Sequence, residues 1–458
     1  MATLPYFVIS PNTILSLIGL VRGGRERPEL VSEAAHNISF DVVIPAYNEA
    51  RTIALALASL ENQTVKPGMV VIFDDGSSDR TRGVARRYAE KSDLNIRILR
   101  REISVGKTPS VRATAFGSEA DAVFVLDGDT VLESADYIER LLVELYRVPG
   151  IASVCGMVLP LRERDRDDIA EMPAARKFFR GRTSLGARET IPWRRQFARG
   201  ITNMYREVIY FFVQKIVYRG EQALFGTIVN PVGCAVAYRR DYLLEVFDET
   251  RAELGDNLTT SEDIFLGFGF IDRGYHNVQL TDVTCRSEEP EFQSVPRQLF
   301  LWSSAWLQSG YYFPELLGSP FKSWKRHKAR KEARTYENRR LIKDPYREPF
   351  GKKFARLRGR PVGWAVFLVL FEKISFPIAL IVMLALQMWE VLIVTLVAET
   401  FLYISLILLL AGENRLRYAG MGILVTPIRY SSILWDAVTI SRFAFDLLRP
   451  GGKDKWRK

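Results

Sequence analysis

Four short apolar runs, at residues 40–44, 70–73, 96–99 and 122–126, constrain this chain more than any other feature. They are rich in β-branched residues. The segments between them carry helical spacing, as in Ile53, Leu57 and Leu60, and more loosely in Val84, Tyr88 and Leu94. Short apolar runs of this kind read as strands buried on both faces. Strands that alternate with helices form a parallel sheet joined by right-handed crossovers. The chain is therefore expected to be an α/β protein with a mostly parallel sheet flanked by helices.

Three of these runs end in polar clusters. The first leads into Pro45-Ala46-Tyr47-Asn48-Glu49, the second into Asp74-Asp75-Gly76-Ser77-Ser78-Asp79, and the fourth into Asp127-Gly128-Asp129. In a parallel sheet all three meet at the carboxyl edge, where open α/β sheets bind ligands. Asp127 and Asp129 together suit a hard divalent cation that bridges to a diphosphate. A carboxylate from the second cluster can accept the imide N–H of uracil, and the Tyr47 ring can pack on a base. Taken singly, each cluster is an ordinary turn signal.

The 458 residues carry a formal charge of +10, which invites an anionic partner. Much of the basic sequence gathers at Lys322, Lys325, Arg326, Lys328, Arg330, Lys331 and Arg334, then at Lys352, Lys353, Arg356, Arg358 and Arg360. These clusters immediately precede two apolar stretches, 364–386 and 391–411, each near the ~20 residues that cross a bilayer. Basic residues beside a span mark the cytoplasmic side and attract anionic lipid, so membrane lipids rather than nucleic acid explain the charge. Glu372, Lys373 and Glu399 interrupt the apolar stretches and are functional candidates, or neutral hydrogen-bonded groups. Five segments follow: an N-terminal interfacial segment 1–37, a catalytic domain 38–315, a basic juxtamembrane segment 316–360, a transmembrane hairpin 361–412, and an amphipathic helix with a basic tail at 413–458. Thr426-Pro427 reads as the start of that last helix, with Arg442 and Asp446 one turn apart. The N-terminus has no basic leader, which argues against a cleaved signal. With basic sequence on both sides of the hairpin, the expected location is the cell membrane, multi-pass, with the catalytic domain cytoplasmic.

The three cysteines, Cys155, Cys234 and Cys285, show no metal or disulfide spacing and read as reduced packing residues. His36, His276 and His327 are scattered. Gly267-Phe268-Gly269 lacks the third glycine of a dinucleotide loop.

In this order, Pro45-Ala46-Tyr47-Asn48-Glu49, Asp74-Asp75-Gly76-Ser77-Ser78-Asp79, Gly106-Lys107 and Asp127-Gly128-Asp129 resemble the inverting family 2 glycosyltransferases of GT-A fold. The resemblance continues through Gly233-Cys234-Ala235-Val236-Ala237-Tyr238-Arg239-Arg240 and Ser261-Glu262-Asp263, covering roughly residues 40–310. It implies a Rossmann-like GT-A domain followed by the membrane hairpin, in the manner of membrane-bound polysaccharide synthases. Tyr47, Glu49, Asp74 and Asp75 would hold the uridine of a UDP-sugar. Asp127 and Asp129 would hold Mg²⁺ or Mn²⁺ against the diphosphate, and Lys107 would lie near the nucleotide sugar. Asp263, beside Glu262, would be the general base. Processive members carry Gln-x-x-Arg-Trp, whose counterpart here is Gln298-Leu299-Phe300-Leu301-Trp302, with leucine in place of arginine. On a helix Arg297 precedes Leu301 by one turn and reaches toward the same place, while Gln298, Trp302 and Trp306 share a face. Trp302 then either stacks on an acceptor sugar or belongs to the core.

The resemblance implies transfer of a hexosyl or N-acetylhexosaminyl group to a growing cell-surface polysaccharide, with a homo-oligomer or a separate export partner beside only two spans. The alternatives are transfer of one sugar to a polyprenyl phosphate lipid, or an inactive membrane scaffold. A nucleotidyltransferase would need a glycine-rich basic loop after the first strand, where this chain has Pro45-Ala46-Tyr47-Asn48-Glu49.

Overall fold

The structure is a computed structural model that describes residues 10–23, 38–179, 192–254, 261–333 and 350–450. The expectations placed on Arg334, on His36 and on the C-terminal tail lie outside the described residues. So does most of the 1–37 segment.

Eight strands form one sheet: β1 Phe40–Ala46, β2 Val70–Asp74, β3 Ile96–Arg100, β4 Ala122–Leu126, β5 Thr130–Leu132, β6 Ile151–Pro160, β7 Ala235–Arg239 and β8 His276–Ser287. Their spatial order is β3-β2-β1-β4-β7-β6-β8-β5. The four runs of the opening half are parallel neighbours, with Val42 beside Val70 and Val42 beside Phe124. Every residue of β2 and β4 is buried, as a sheet covered on both faces requires. The second half is mixed, because β7 runs antiparallel to both β4 and β6, and β5 antiparallel to β8. The strand-like stretch at 229–238 is a strand only from Ala235. Pro231 cannot donate to a ladder, and Gly233 weakens one.

The helices of the first half are α1 Pro11–Arg22, α2 Ile53–Glu61, α3 Thr81–Ala89, α4 Thr108–Gly117, α5 Tyr137–Arg147, α6 Glu163–Ala170 and α7 Pro173–Phe179. Next come α8 Trp193–Phe212, a π-turn Val213–Tyr218, α9 Arg219–Phe225, α10 Arg240–Leu254, α11 Glu262–Arg273, α12 Val295–Tyr312, α13 Pro314–Leu317, α14 Ser323–Ala333 and α15 Lys352–Arg358. Val208 and Phe211 of α8 are buried in a cluster with Tyr403, Ile407 and Val425, so this amphipathic helix joins the sheet domain to the C-terminal helices.

Those helices are α16 Gly363–Ala385, α17 Trp389–Leu410 and α18 Arg415–Leu448. By length and composition, α16 and α17 are apolar enough to cross a membrane, with mean hydropathy 2.2 and 2.4. Only 17% and 22% of their most apolar windows are buried, unlike the core helix of a soluble domain. Glu372, Lys373 and Glu399 each meet protein. Glu372 accepts from the Ser10 hydroxyl at 2.8 Å and from the Asn12 N–H at 2.6 Å, holding the start of α1. Lys373 lies 3.3 Å from Asp436, and Glu399 accepts from Arg429 at 2.6 Å. No helix begins at Thr426-Pro427, because α18 runs through Pro427 unbroken. An interior proline costs about 3 kcal/mol. Burial of Ala419 and Val425 and the Glu399–Arg429 pair hold the helix together on both sides of it. Arg442 lies over the Phe300 ring, 5.3 Å from its centre.

Candidate active site

The loop after β1 sets the first wall of the site. Asn48 adopts a left-handed backbone (φ 61°), which asparagine tolerates better than most residues. Its N–H donates to Ser77 Oγ at 3.0 Å, and its Oδ1 accepts from the Ser78 N–H at 2.9 Å. This turn leaves Tyr47 53% exposed and directs Glu49 inward. Glu49 lies against Gly128, where a Cβ would stand 3.2 Å from Glu49 Cγ. Burial pushes the Glu49 carboxyl up to about 9, helped by the charges of Asp129, Glu288 and Asp127, so it is protonated at neutral pH. Glu49 thus stands with the acid pair rather than beside Tyr47.

Asp74 accepts from the Ser77 N–H at 3.0 Å. Asp75 fastens the loop after β3, accepting from Ser104 Oγ at 2.7 Å, Gly106 N–H at 2.8 Å, Val105 N–H at 3.1 Å and Arg101 at 3.1 Å. Burial pushes this carboxyl up, but those hydrogen bonds outweigh it and hold the group below its ordinary value.

The same loop delivers Lys107. Its ammonium lies 2.6 Å from Asp127 and 2.7 Å from Glu262, and it donates to the Gly233 carbonyl at 2.9 Å. Burial disfavours its charge. The attraction of Asp127 and Glu262 outweighs burial and keeps it protonated. Asp127 and Asp129 are both pushed up to about 6, chiefly by burial. Lys107 pulls Asp127 down, while Glu288 and Glu289 raise Asp129. Burial carries Glu262 to about 7, opposed by Lys107.

Glu262 and Asp263 open α11. Asp263 accepts from the Ile264 N–H at 2.8 Å and from the Ser261 hydroxyl. Gly233 lies directly against it. The structure therefore gathers Lys107, Asp127, Glu262, Asp263 and Gly233 around one point, with Asp129 and Glu49 adjoining.

Gln298 and Trp302 stand together on α12, but Arg297 is exposed. The cation that meets them is Arg206 of α8, 1% exposed, which donates to Gln298 Oε1, lies 4.4 Å over the Trp302 ring and pairs with Glu289 at 3.4 Å. Trp306 packs edge-on to Phe268 at 5.3 Å and belongs to the core. Arg206 had no motif to reveal it. The one sequence signal was the leucine at 301, which left the stretch without its arginine.

Among the described residues no three His, Cys, Asp or Glu side chains stand close enough to hold a metal ion alone. Mg²⁺ and Mn²⁺ sites of the substrate-assisted kind use one or two carboxylates plus phosphate oxygens. Asp127 and Asp129, two carboxylates just past the carboxyl end of β4, match that donor set.

A nucleotide-sugar transferase fold of GT-A type is defined by this sheet. The mannosyltransferase PcManGT from Pyrobaculum calidifontis, solved with GDP-Man and Mn²⁺, shares it with TM-score 0.51 across 94% of this chain and 96% of that one, at 15% identity. Residues 41–247 match the model of glycosyl transferase family 2. An O-antigen chain rhamnosyltransferase of Salmonella typhimurium is 31% identical over 122 residues, 27% of this chain. A dolichyl-phosphate beta-glucosyltransferase of Trichomonas vaginalis is 27% identical over 181 residues, 37% of this chain. The chain spans 38% and 53% of the length of these two relatives.

Proposed function

We propose that the chain is a membrane-bound, inverting glycosyltransferase that moves a hexosyl or N-acetylhexosaminyl group from a UDP-sugar to a growing cell-surface polysaccharide. The observation that carries this reading is the opposition of two acidic sets around Lys107: Asp127 on one side, Glu262 with Asp263 on the other. Asp263, at the N-terminus of α11, takes the proton of the acceptor hydroxyl as that oxygen attacks the anomeric carbon. The bond to the UDP diphosphate breaks on the opposite face, which inverts the configuration. Asp127 and Asp129 would hold Mg²⁺ or Mn²⁺, which would supply positive charge to the departing diphosphate. Lys107 adds a fixed positive charge between the two sets, and Tyr47 offers an exposed ring to the uracil.

Two apolar helices and the basic residues of α14 and α15 support a multi-pass protein of the cell membrane with its catalytic domain cytoplasmic. Two apolar helices among the described residues are few for a polymer conduit, so this reading includes a second copy or a separate exporter. Similarity to a dolichyl-phosphate transferase favours a second reading, transfer of one sugar to a polyprenyl phosphate. The test is a screen of radiolabelled UDP-sugars on membranes containing the chain, with and without Mn²⁺ or Mg²⁺. Label in polymer is expected. Label confined to a single sugar on extractable lipid would move the assignment to the second reading, and no transfer from any UDP-sugar would remove both.

A further inference from the structure

Where the sheet domain meets the apolar helices, the short turn Pro320–Lys322 runs straight into α14. Phe321, Trp324, Lys325 and Lys328 follow the three- and four-residue spacing that puts side chains on one helical face, and all four are exposed. Lys322 and Arg326 take the opposite face. Arg326, 9% exposed, donates to the Ser319 carbonyl at 2.8 Å and to the Arg358 carbonyl at 2.7 Å. Lys322 donates to the Arg356 carbonyl at 2.9 Å. These bonds fasten α14 to α15, which turns Ala355 inward and Lys353, Arg356 and Leu357 outward.

The aromatic part of this face continues onto α16. The Trp364 indole N–H donates to Ser323 Oγ at 3.2 Å, and the Phe321 ring meets Phe367 edge-on at 5.7 Å. Phe367 in turn stacks on Phe371 at 6.2 Å. The exposed Ile374, Ile378 and Ile381 extend the same stripe along the helix. From Trp364 to Ala385 the helix rises roughly 32 Å at ~1.5 Å per residue, close to the ~30 Å of a hydrocarbon core. Trp389, also exposed, stands at the far end.

Phe321 is 80% exposed and Trp324 71%. Large rings left open beside one another on a surface mark a contact site. Along this face the order is lysine and arginine, then indole, then phenylalanine, then isoleucine. A bilayer leaflet carries the matching order, with anionic headgroups, an interfacial zone that takes tryptophan, and hydrocarbon beyond it. A nucleic acid or an acidic protein would answer the charge but not the apolar gradient.

We infer that the outward face of residues 321–328 and α15 docks on the headgroup zone of an anionic phospholipid leaflet. Phe321 and Trp324 enter the interface, while Lys325, Lys353 and Arg356 meet lipid phosphates. The inference rests on the membrane part of the reading above. It also bears on the acid pair of α11. Arg360 donates to the Asp272 carbonyl at 3.2 Å and the Gly351 N–H to the Arg273 carbonyl at 2.7 Å, which ties the docked face to the C-terminal end of that helix. Glu262 and Asp263 open the same helix, roughly 18 Å away along its axis, so docking holds them at a fixed distance from the leaflet.

The test compares one protein in two bilayers. Full-length chain would be placed in nanodiscs of phosphatidylcholine alone, or of phosphatidylcholine with about 30% phosphatidylglycerol, and followed by amide hydrogen exchange. Residues 321–328 and 352–358 are expected to exchange about threefold or more slowly in the anionic discs, with β1 to β4 unchanged. Lys325→Gln combined with Lys353→Gln and Arg356→Gln should erase the difference between the two bilayers. Lipid brominated near the headgroup should quench tryptophan emission less in Trp324→Phe than in the parent. Equal exchange of the parent in both bilayers would overturn the inference, and so would quenching that Trp324→Phe leaves unchanged. Protection that appears in neutral detergent when RNA is added, or when the chain is concentrated, would overturn it by assigning the face to nucleic acid or to a second copy. A chain that enters neither bilayer would instead remove the membrane reading, and the inference with it.

Discussion

Gly233 lies so close to Asp263 that a Cβ on the glycine would stand 2.7 Å from the Asp263 carboxylate oxygen Oδ2. The carbonyl of the same glycine accepts from Lys107 at 2.9 Å. One bare stretch of backbone thus sets the position of the candidate base and of the site's central cation.

Gly233→Ala is expected to push the Asp263 side chain out of place while leaving the nucleotide loops alone. General base catalysis contributes typically 10²–10⁴-fold, so transfer should fall by about 10²-fold or more. UDP affinity should stay within a few fold. Asp263→Asn should show the same pattern. Steady-state transfer alongside calorimetric UDP binding checks both, and unchanged turnover in Asp263→Asn would remove that residue as the base.

Lys107→Met takes away the positive charge that Asp127 and Glu262 share. Removing a fixed electrostatic group of this kind costs about 10²–10³-fold in turnover. Burial carries the Asp127 carboxyl to about 6 even though Lys107 holds it down. Without the lysine that value rises, and less of the ionised form is present at low pH. The defect should accordingly be deeper at pH 6 than at pH 8, relative to the parent at each pH. A loss equal at both would show that Lys107 does not tune Asp127.

The parallel half of the sheet and the convergence of Asp127, Asp129 and Asp263 were legible because they rest on local signals: an apolar run, then acids at its carboxyl end. What was not legible depends on distant partners. The sequence reads Glu372 as a functional candidate or a neutral hydrogen-bonded group, but its partners Ser10 and Asn12, some 360 residues earlier, cannot be named from it. Pro427 read as a helix start because a lone proline at that position would be one. Packing on both sides of it, against residues of α8 and α17, decides otherwise. Glu49 was grouped with Tyr47 because it is two residues away, yet the left-handed turn at Asn48 sends the two side chains to different parts of the site.

Arg206 is the residue that sequence order concealed most completely, since its partner Gln298 lies 92 positions away. Arg206→Met should leave Glu289 buried without its cation and Trp302 without its stacking partner. Breaking a buried pair from one side costs about 3–5 kcal/mol. The thermal midpoint of the purified protein should therefore drop. Arg206→Met combined with Glu289→Gln should recover part of that loss, because it removes the stranded charge as well. If the double variant were no more stable than the single, the pair would not be the source of the effect.

Glu221, on α9, offers the clearest stability prediction against pH. It is 2% exposed, its carboxylate accepts from the Val229 N–H at 3.2 Å, and burial pushes its carboxyl up to about 8. A carboxyl raised in the folded state binds its proton more tightly there than in the unfolded chain, whose value is the ordinary 4.5. Between those two values the folded state holds more protons, so raising the pH through that window lowers stability. Each unit within the window is worth on the order of 1.4 kcal/mol before relaxation. Below pH 4.5 the penalty is absent, and above 8 it is complete. Glu221→Gln keeps an acceptor for Val229 and cannot ionise. Its thermal midpoint should be near the parent's at pH 5 and above it at pH 8.5. A gap that failed to widen with pH would mean that Glu221 finds a counter-charge when it ionises, and burial would not be governing its proton.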